Sequence, residues 1–422
     1  MPCQPKRFKL IPVAVLLLHA TGVFAEEPLR SEAFLNDAGA PMFSFSGFGT
    51  LGVVHSSERN ADFTASSFKS NGAGHSRAWS ADVDSLLAGQ VVADFTSKFS
   101  ATLQVISNQN YDSSYRPHVE WANIKYQFTP DFSVRAGRTV LPGFLISESR
   151  NVGYTYAWVR PPLETYGLDP LTSADGLDAS YRLRIGELTS TVQANAGRKT
   201  SRSRQGAVDA GNMQGMSLTT EYGALTMRVA YQKATLTVAS VNPLFDGFRQ
   251  FGPQGVAIAD RYGADHKPIS FVAVGVSYDP GNWFAMAEWG SVNTHSVFGK
   301  LTGWYASSGY RLGKFTPFVT YARATADNLS DPGLNAAALP PFLAGPATGL
   351  NTSLNAILSA KIVRNTFSIG GRWDFMKNTA FKLQFEHTRV GAGSSGGFIN
   401  TQPGFQTGGQ ANIVSATIDF VF

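Results

Sequence analysis

Beyond residue 25 the sequence holds no apolar run of the roughly 20 residues that a membrane-spanning helix requires, yet apolar and polar side chains alternate along most of its length. Phe43, Phe45, Gly47, Gly49, Leu51 and Val53 share one face of the first such stretch. Val414, Ala416, Ile418, Phe420 and Phe422 share one face of the last, opposite Ser415, Thr417 and Asp419. A period of two is the signature of a strand with two unlike faces. Between these ends the alternating runs come in pairs joined by tight turns. Ala122 to Phe128 leads through Thr129-Pro130-Asp131 into Phe132, Val134 and Ala136. Val272 to Tyr278 turns at Asp279-Pro280-Gly281-Asn282 into Trp283, Ala285 and Ala287. One opening strand, seven such hairpins and one closing strand make sixteen.

The connections are ordered as well. Seven short turns alternate with eight longer segments, at 55–86, 109–117, 139–175, 199–213, 235–268, 293–300, 326–359 and 391–410. Aromatic residues gather beside the short turns, among them Phe95, Phe99, Phe128, Phe132, Tyr278, Trp283, Phe315 and Phe381. A soluble sandwich also alternates. Here, however, every strand can pair with its neighbour in sequence, the apolar faces are Val, Phe, Trp and Tyr, and the opposite faces carry charge. About ten residues per strand suits a tilted crossing of a bilayer, and in lipid only a helix or a closed barrel satisfies every backbone group. The expected fold is all-β: a transmembrane antiparallel up-and-down β-barrel of about sixteen strands over 42–422, with short turns at one end and long loops at the other.

The first 25 residues read as a secretory signal peptide. Lys6, Arg7 and Lys9 precede the apolar stretch from Leu10 to Ala20, and Val23-Phe24-Ala25 forms a small-x-small cleavage site. The sole cysteine, Cys3, lies in this segment, so the exported chain is stabilised without disulfides. The segment carries three basic residues and no acidic one. It therefore accounts for more than half of the formal net charge of +5. What remains is nearly neutral, which removes the electrostatic case for a nucleic-acid partner. Residues 26–41 form a short extension before the first strand.

No catalytic or metal-binding pattern stands out. His55, His75, His118, His266, His295 and His387 are scattered, without metal-ligand spacing. No nucleophile elbow, phosphate-binding loop or calcium loop is present. No cofactor is expected, and an outer-membrane enzyme or adhesin is the weakest of the functional readings.

The informative connection is the third long one, Thr139 to Asp175. It holds Tyr154, Tyr156, Trp158 and Tyr166 together with Glu148, Arg150, Arg160, Glu164 and Asp169. Loops of this length are functional or disordered, and its aromatic content favours packing. If the apolar faces meet lipid, the lumen receives Lys125, Arg135, Arg182, Arg184, Arg228, Arg311, Arg372 and Lys382. It also receives Asp94, Asp178, Glu221, Glu288, Asp374, Glu386 and Asp419. Opposed charges across a narrow pore create a transverse field that orients solutes and sets ion preference. The candidate constriction is Arg138, Glu148, Arg150, Arg160, Glu164 and Asp169, facing a wall of Lys125, Arg135, Arg182, Arg184, Arg372 and Lys382. Arg138 shares the phase of the lipid-facing Val134 and Ala136, so only a bend at the strand end would turn it inward.

In its signal segment, strand count, alternation of turns and loops, terminal Phe422 and long third loop entered by Arg135-Ala136-Gly137-Arg138, the sequence resembles the Gram-negative general porins. The resemblance implies a sixteen-stranded trimeric barrel in the bacterial outer membrane, with the third loop folded into the lumen and its acidic groups facing a basic ladder. It implies passive diffusion of small hydrophilic solutes and ions, and a C-terminal Phe read by the outer-membrane assembly machinery. Two departures stand out: Arg150 and Arg160 dilute the acidic character of the loop, and residues 26–41 precede the first strand where family members begin almost at once. A substrate-selective channel for organic or aromatic acids, using the aromatic residues of the loop, is the alternative.

Overall fold

The computed structural model describes residues 42–204 and 206–422; the expected signal peptide and the extension 26–41 lie outside them. Sixteen long strands form one antiparallel meander: β1 Met42–Ser56, β2 Leu86–Asp94, β3 Phe99–Asn108, β4 His118–Thr129, β5 Phe132–Val140, β6 Ser173–Ile185, β7 Leu188–Ser203, β8 Gly206–Tyr222, β9 Leu225–Val238, β10 Lys267–Tyr278, β11 Trp283–Asn293, β12 Lys300–Tyr310, β13 Phe315–Ala326, β14 Arg364–Met376, β15 Thr379–Val390 and β16 Gln410–Val421. Trp79–Ser80 adds a two-residue rung against β1.

The sheet closes because β1 pairs with β2 along its first half and with β16 along its second. Met42↔Asp94 to Thr50↔Leu86 is followed by Phe48↔Val421 to Ser56↔Ile413. Phe422 completes the seam: its N–H donates to Gly47 O (2.9 Å) and Gly47 N–H donates to Phe422 O (2.8 Å). The ring of Phe422 fills the space over Gly47, where a Cβ would overlap it. Among the described residues the sixteen strands close into a ring in which none is an edge strand, which is the requirement lipid imposes.

The alternation of the sequence becomes two surfaces. Phe45, Leu51, Leu177, Met216, Val229, Ile369 and Leu383 are exposed on the outside. Their neighbours Thr50, Asp178, Ser217, Arg228, Ser368, Lys382 and Asp419 are buried on the inside. The sheet is thus apolar toward its surroundings and polar toward its interior, the reverse of a soluble protein.

The loops depart from the sequence expectation in three places. The connection expected at 199–213 is instead the continued pairing of β7 and β8, up to Ser203↔Gly206. Two other long connections contain helices, α2 Asn242–Arg249 with α3 Gly252–Tyr262, and α4 Pro341–Ser359. They share a small core of Phe245, Phe248, Tyr262, Leu354 and Leu358. Each begins with Pro at its first or second position, where the missing N–H costs nothing.

Candidate functional site

Residues 141–172, between β5 and β6, fold into the barrel and cross it. The short helix α1, Leu163–Tyr166, is the only regular helical turn longer than three residues in this loop. The loop begins beside β6, yet its side chains reach strands β9 to β16, so it spans the lumen to the far wall.

An apolar contact supplies the first part of the docking. Phe144, Leu145, Trp158, Tyr166 and Leu168 pack against Phe271, Ala273, Val292, Tyr305 and Phe318 from the inner rows of β10 to β13. Each large side chain taken from lumen water in this way contributes on the order of 1.5–3 kcal/mol. The backbone comes equally close. A Cβ on Gly303 of β12 would overlap Glu164 O, and one on Gly153 of the loop would overlap the Asp419 carboxylate. Glycine at both positions is what allows loop and wall to touch.

Ionic and hydrogen-bonded contacts then fix the register. Arg160 donates Nε and Nη2 to Asp84 (2.8 and 2.6 Å), Nη2 to Ser415 Oγ (2.6 Å) and Nη1 to Glu386. Its plane lies over the ring of Phe63 at 5.1 Å. Glu164 accepts from Arg364 Nε (2.6 Å) and Thr366 Oγ1 (2.5 Å). Lys382 donates to Gly153 O and Trp158 O (2.6 Å each), pairs with Asp419 (3.1 Å) and sits over Tyr156 at 4.7 Å. Arg372 donates to Tyr154 O and Tyr156 O, covers the ring of Tyr154 at 4.6 Å and pairs with Asp374. Arg228 holds Phe144 O and both oxygens of Glu148. Glu288 accepts from Leu145 N (2.7 Å), Tyr166 Oη (2.5 Å) and Tyr305 Oη (2.8 Å). The Trp158 indole N–H reaches Ser307 and Thr320.

The six candidate constriction residues therefore separate. Arg160 and Glu164 are 5% and 2% exposed and bind the wall. Glu148 keeps a third of its side chain accessible beside Arg228. Arg150 donates to Asp169 O (3.1 Å) and Tyr166 O (3.4 Å) and lies over Tyr166 at 5.5 Å, with no carboxylate contact among the described residues. Among the described residues the Asp169 carboxylate accepts only Leu171 N–H, at 3.3 Å. Burial pushes it up to about 6 against the opposing pull of Arg150. Arg138 follows Gly137, whose φ is +123°. It remains in the row of Ala136, where it pairs with Asp175 (2.7 Å) and donates to Val119 O (2.9 Å). It meets none of the other five.

The wall residues separate too. Arg372 and Lys382 hold the loop. Lys125 and Arg135 are register partners on the inner row of β4 and β5, away from the docked side. Arg135 binds Asp178 (2.7 Å), which also accepts from Gln193 (2.6 Å). Arg182 lies further along the inner row of β6, and Arg184 pairs with Asp131 at the short-turn end (2.8 Å). Period-two parity points to Glu288, Glu386 and Asp419 as lumen groups. It gives no sign of Asp84, which sits in the first long loop and becomes a partner of Arg160 only through tertiary folding.

No protein-family model matches the sequence, and no curated protein matches it. Solved structures do share the fold. OmpF of Salmonella typhi, solved in complex with daunomycin, has 13% identity and a TM-score of 0.55, over 91% of this chain and 99% of that one. The outer membrane channel DcaP of Acinetobacter baumannii has 13% identity and a TM-score of 0.56, over 92% and 99%. The anion-selective porin from Comamonas acidovorans has 12% identity and a TM-score of 0.52, over 90% and 100%. The fold is that of the sixteen-stranded Gram-negative outer-membrane porins.

Proposed function

We propose that this chain is a porin of the bacterial outer membrane, a water-filled, charge-lined channel for passive diffusion of small hydrophilic solutes and ions. The observation that carries the reading is the third loop fixed across the lumen of a closed barrel. It docks on β9 to β16, with Val152 also touching Phe48, Ala88 and Ile106 of β1 to β3, and leaves the path along the polar remainder of the wall from β2 to β8. There the inner row is polar, with Gln90, Gln104, Asn123, Lys125, Arg135, Asp178 and Arg182. Glu148 and Arg150 face this path from the loop, with Asp169 tucked behind them; Lys125, Arg135 and Arg182 face it from the wall; Arg160, Glu164, Arg372 and Lys382 set the width by holding the loop in place. Arg138, with Asp175, stands at the rim of β5 and β6 on the outward row, and assembly as a homotrimer would place that ion pair against protein rather than lipid. A terminal Phe422 in the closing strand suits delivery to the outer-membrane assembly machinery.

The selective channel for aromatic acids has less support. Trp158 and Tyr166 are buried, and the rings of Tyr154 and Tyr156 already cover Arg372 and Lys382. Proteoliposomes loaded with dextran and diluted into iso-osmotic sugar test the proposal. Swelling should be fast for a pentose and slower as the sugar grows. Folded protein that supports no swelling with any sugar refutes it.

A further inference from the structure

The hairpin of β7 and β8 rises past the neighbouring strands and leans over the long-loop end of the barrel. Its pairing continues through Lys199↔Ala210, Thr200↔Asp209 and Arg202↔Ala207. Arg204 Nη1 donates to Ser70 O (3.1 Å), between β1 and β2, and to Asn400 Oδ1 (2.6 Å), between β15 and β16. Asn400 is itself tied to Asp62 (2.7 Å) and Ser70 O (3.0 Å). In the closed ring β8 lies opposite β16, so these bonds join opposite rims of the mouth. Arg202 adds a side-chain hydrogen bond to Tyr111, in the connection between β3 and β4. The hairpin is a strap across the opening.

The strap is strongly basic. Arg198, Lys199, Arg202 and Arg204 stand on it; Asp209 is the one acid of the hairpin tip, its carboxylate taking a hydrogen bond from Thr200 (2.6 Å), while Asp175 of β6 stands beside Arg198 at the base of the strap. Arg198 and Arg202 are exposed, and among the described residues neither makes an ion pair. A fold that needed only to close the mouth would not concentrate like charges there, because they repel. Exposed like charges at the entrance of a pore with low-dielectric walls raise the local concentration of counter-charged solutes.

We propose that the strap is an anion collector, which draws small carboxylate- or phosphate-bearing solutes to the mouth and passes them toward Lys125, Arg135 and Arg182. The inference rests on the channel reading and adds the charge class of the solute to it. The field of the strap reaches about 30 Å at 10 mM salt and about 3 Å at 1 M, so its effect must vanish in concentrated electrolyte.

The test is the reversal potential of single channels in a KCl gradient, for the native chain and for Arg198→Gln with Arg202→Gln, which leaves the Arg204 contacts in place. With 10 mM KCl on the dilute side the anion-to-cation permeability ratio should fall by at least about twofold in the variant; with 1 M KCl the two proteins should agree. An unchanged ratio at low salt overturns the collector, as does a drop of equal size at 1 M. Bridging is tested separately. Cys3 being the sole cysteine, Arg204→Cys with Asn400→Cys should be joined by a short bismaleimide in the folded barrel. Failure to cross-link overturns the strap geometry. A native chain that folds but gives no channels overturns the channel reading, and the collector with it.

Discussion

Replacing Arg160 with Met should release the third loop without unfolding the barrel. The guanidinium is 5% exposed and stands between Asp84 and Glu386, 5% and 9% exposed. Met preserves most of the contact with Phe63 but leaves two buried carboxylates facing each other with no cation between them. Breaking a buried pair in this way costs about 3–5 kcal/mol. At 1.4 kcal/mol per factor of ten, docking of the loop weakens by roughly two to nearly four powers of ten. The strands keep their own ladder, so the loss falls on the loop. Two assays read it together: limited proteolysis between residues 139 and 175 in detergent, and open-channel noise in planar bilayers. The variant should be cut where the native chain resists, and its current should fluctuate. Adding Asp84→Asn and Glu386→Gln should restore much of the resistance, because the unpaired charges are what drive the release. A single variant as resistant and as quiet as the native chain would refute the reasoning, as would a triple variant no better than the single one.

Three further outcomes follow from the same contacts. Deleting Phe422 removes two backbone bonds to Gly47 and the ring that covers it; yield of folded, heat-modifiable barrel in the outer membrane should fall several-fold, while the barrels that form conduct as before. Gly49→Val should lower the temperature at which the barrel unfolds in detergent, because a side chain there meets the Phe420 ring. Asp169 is held up at about 6, above the ordinary carboxylate value; the fold therefore favours its protonated form, so docking of the loop is strongest below about 4, weakens as pH rises from 4 through 6, and levels off once the carboxylate is ionised in both states. Open-channel noise should accordingly rise between about pH 4 and pH 7 in the native chain and level off above that, and that dependence should shrink in Asp169→Asn.

The barrel was legible because lipid imposes a period of two on every strand, and Leu177 or Ile369 outside against Asp178 or Ser368 inside needs no tertiary knowledge. Parity likewise placed Glu288, Glu386 and Asp419 in the lumen. The third loop was marked by its length and aromatic content. Its partners were hidden, because Arg160 meets Asp84 from the first loop and Glu164 meets Arg364 some two hundred residues on. No local pattern encodes such contacts. The helices α2 to α4 were missed because the Gly, Pro and Asn of their segments read as loop, although the Pro at each start was a usable sign. The extension of β7 and β8 was missed because Lys199 to Arg204 is polar on both faces. Above the bilayer a strand has no apolar side to show.

The central claim is that a closed barrel, narrowed by its third loop, conducts. Single-channel recording of the purified, folded protein in planar bilayers tests this most directly. The account predicts stable, ohmic steps whose size rises with bulk salt conductivity, and larger, noisier steps from Arg160→Met. Heat-modifiable barrel that inserts into the bilayer without carrying current would contradict it.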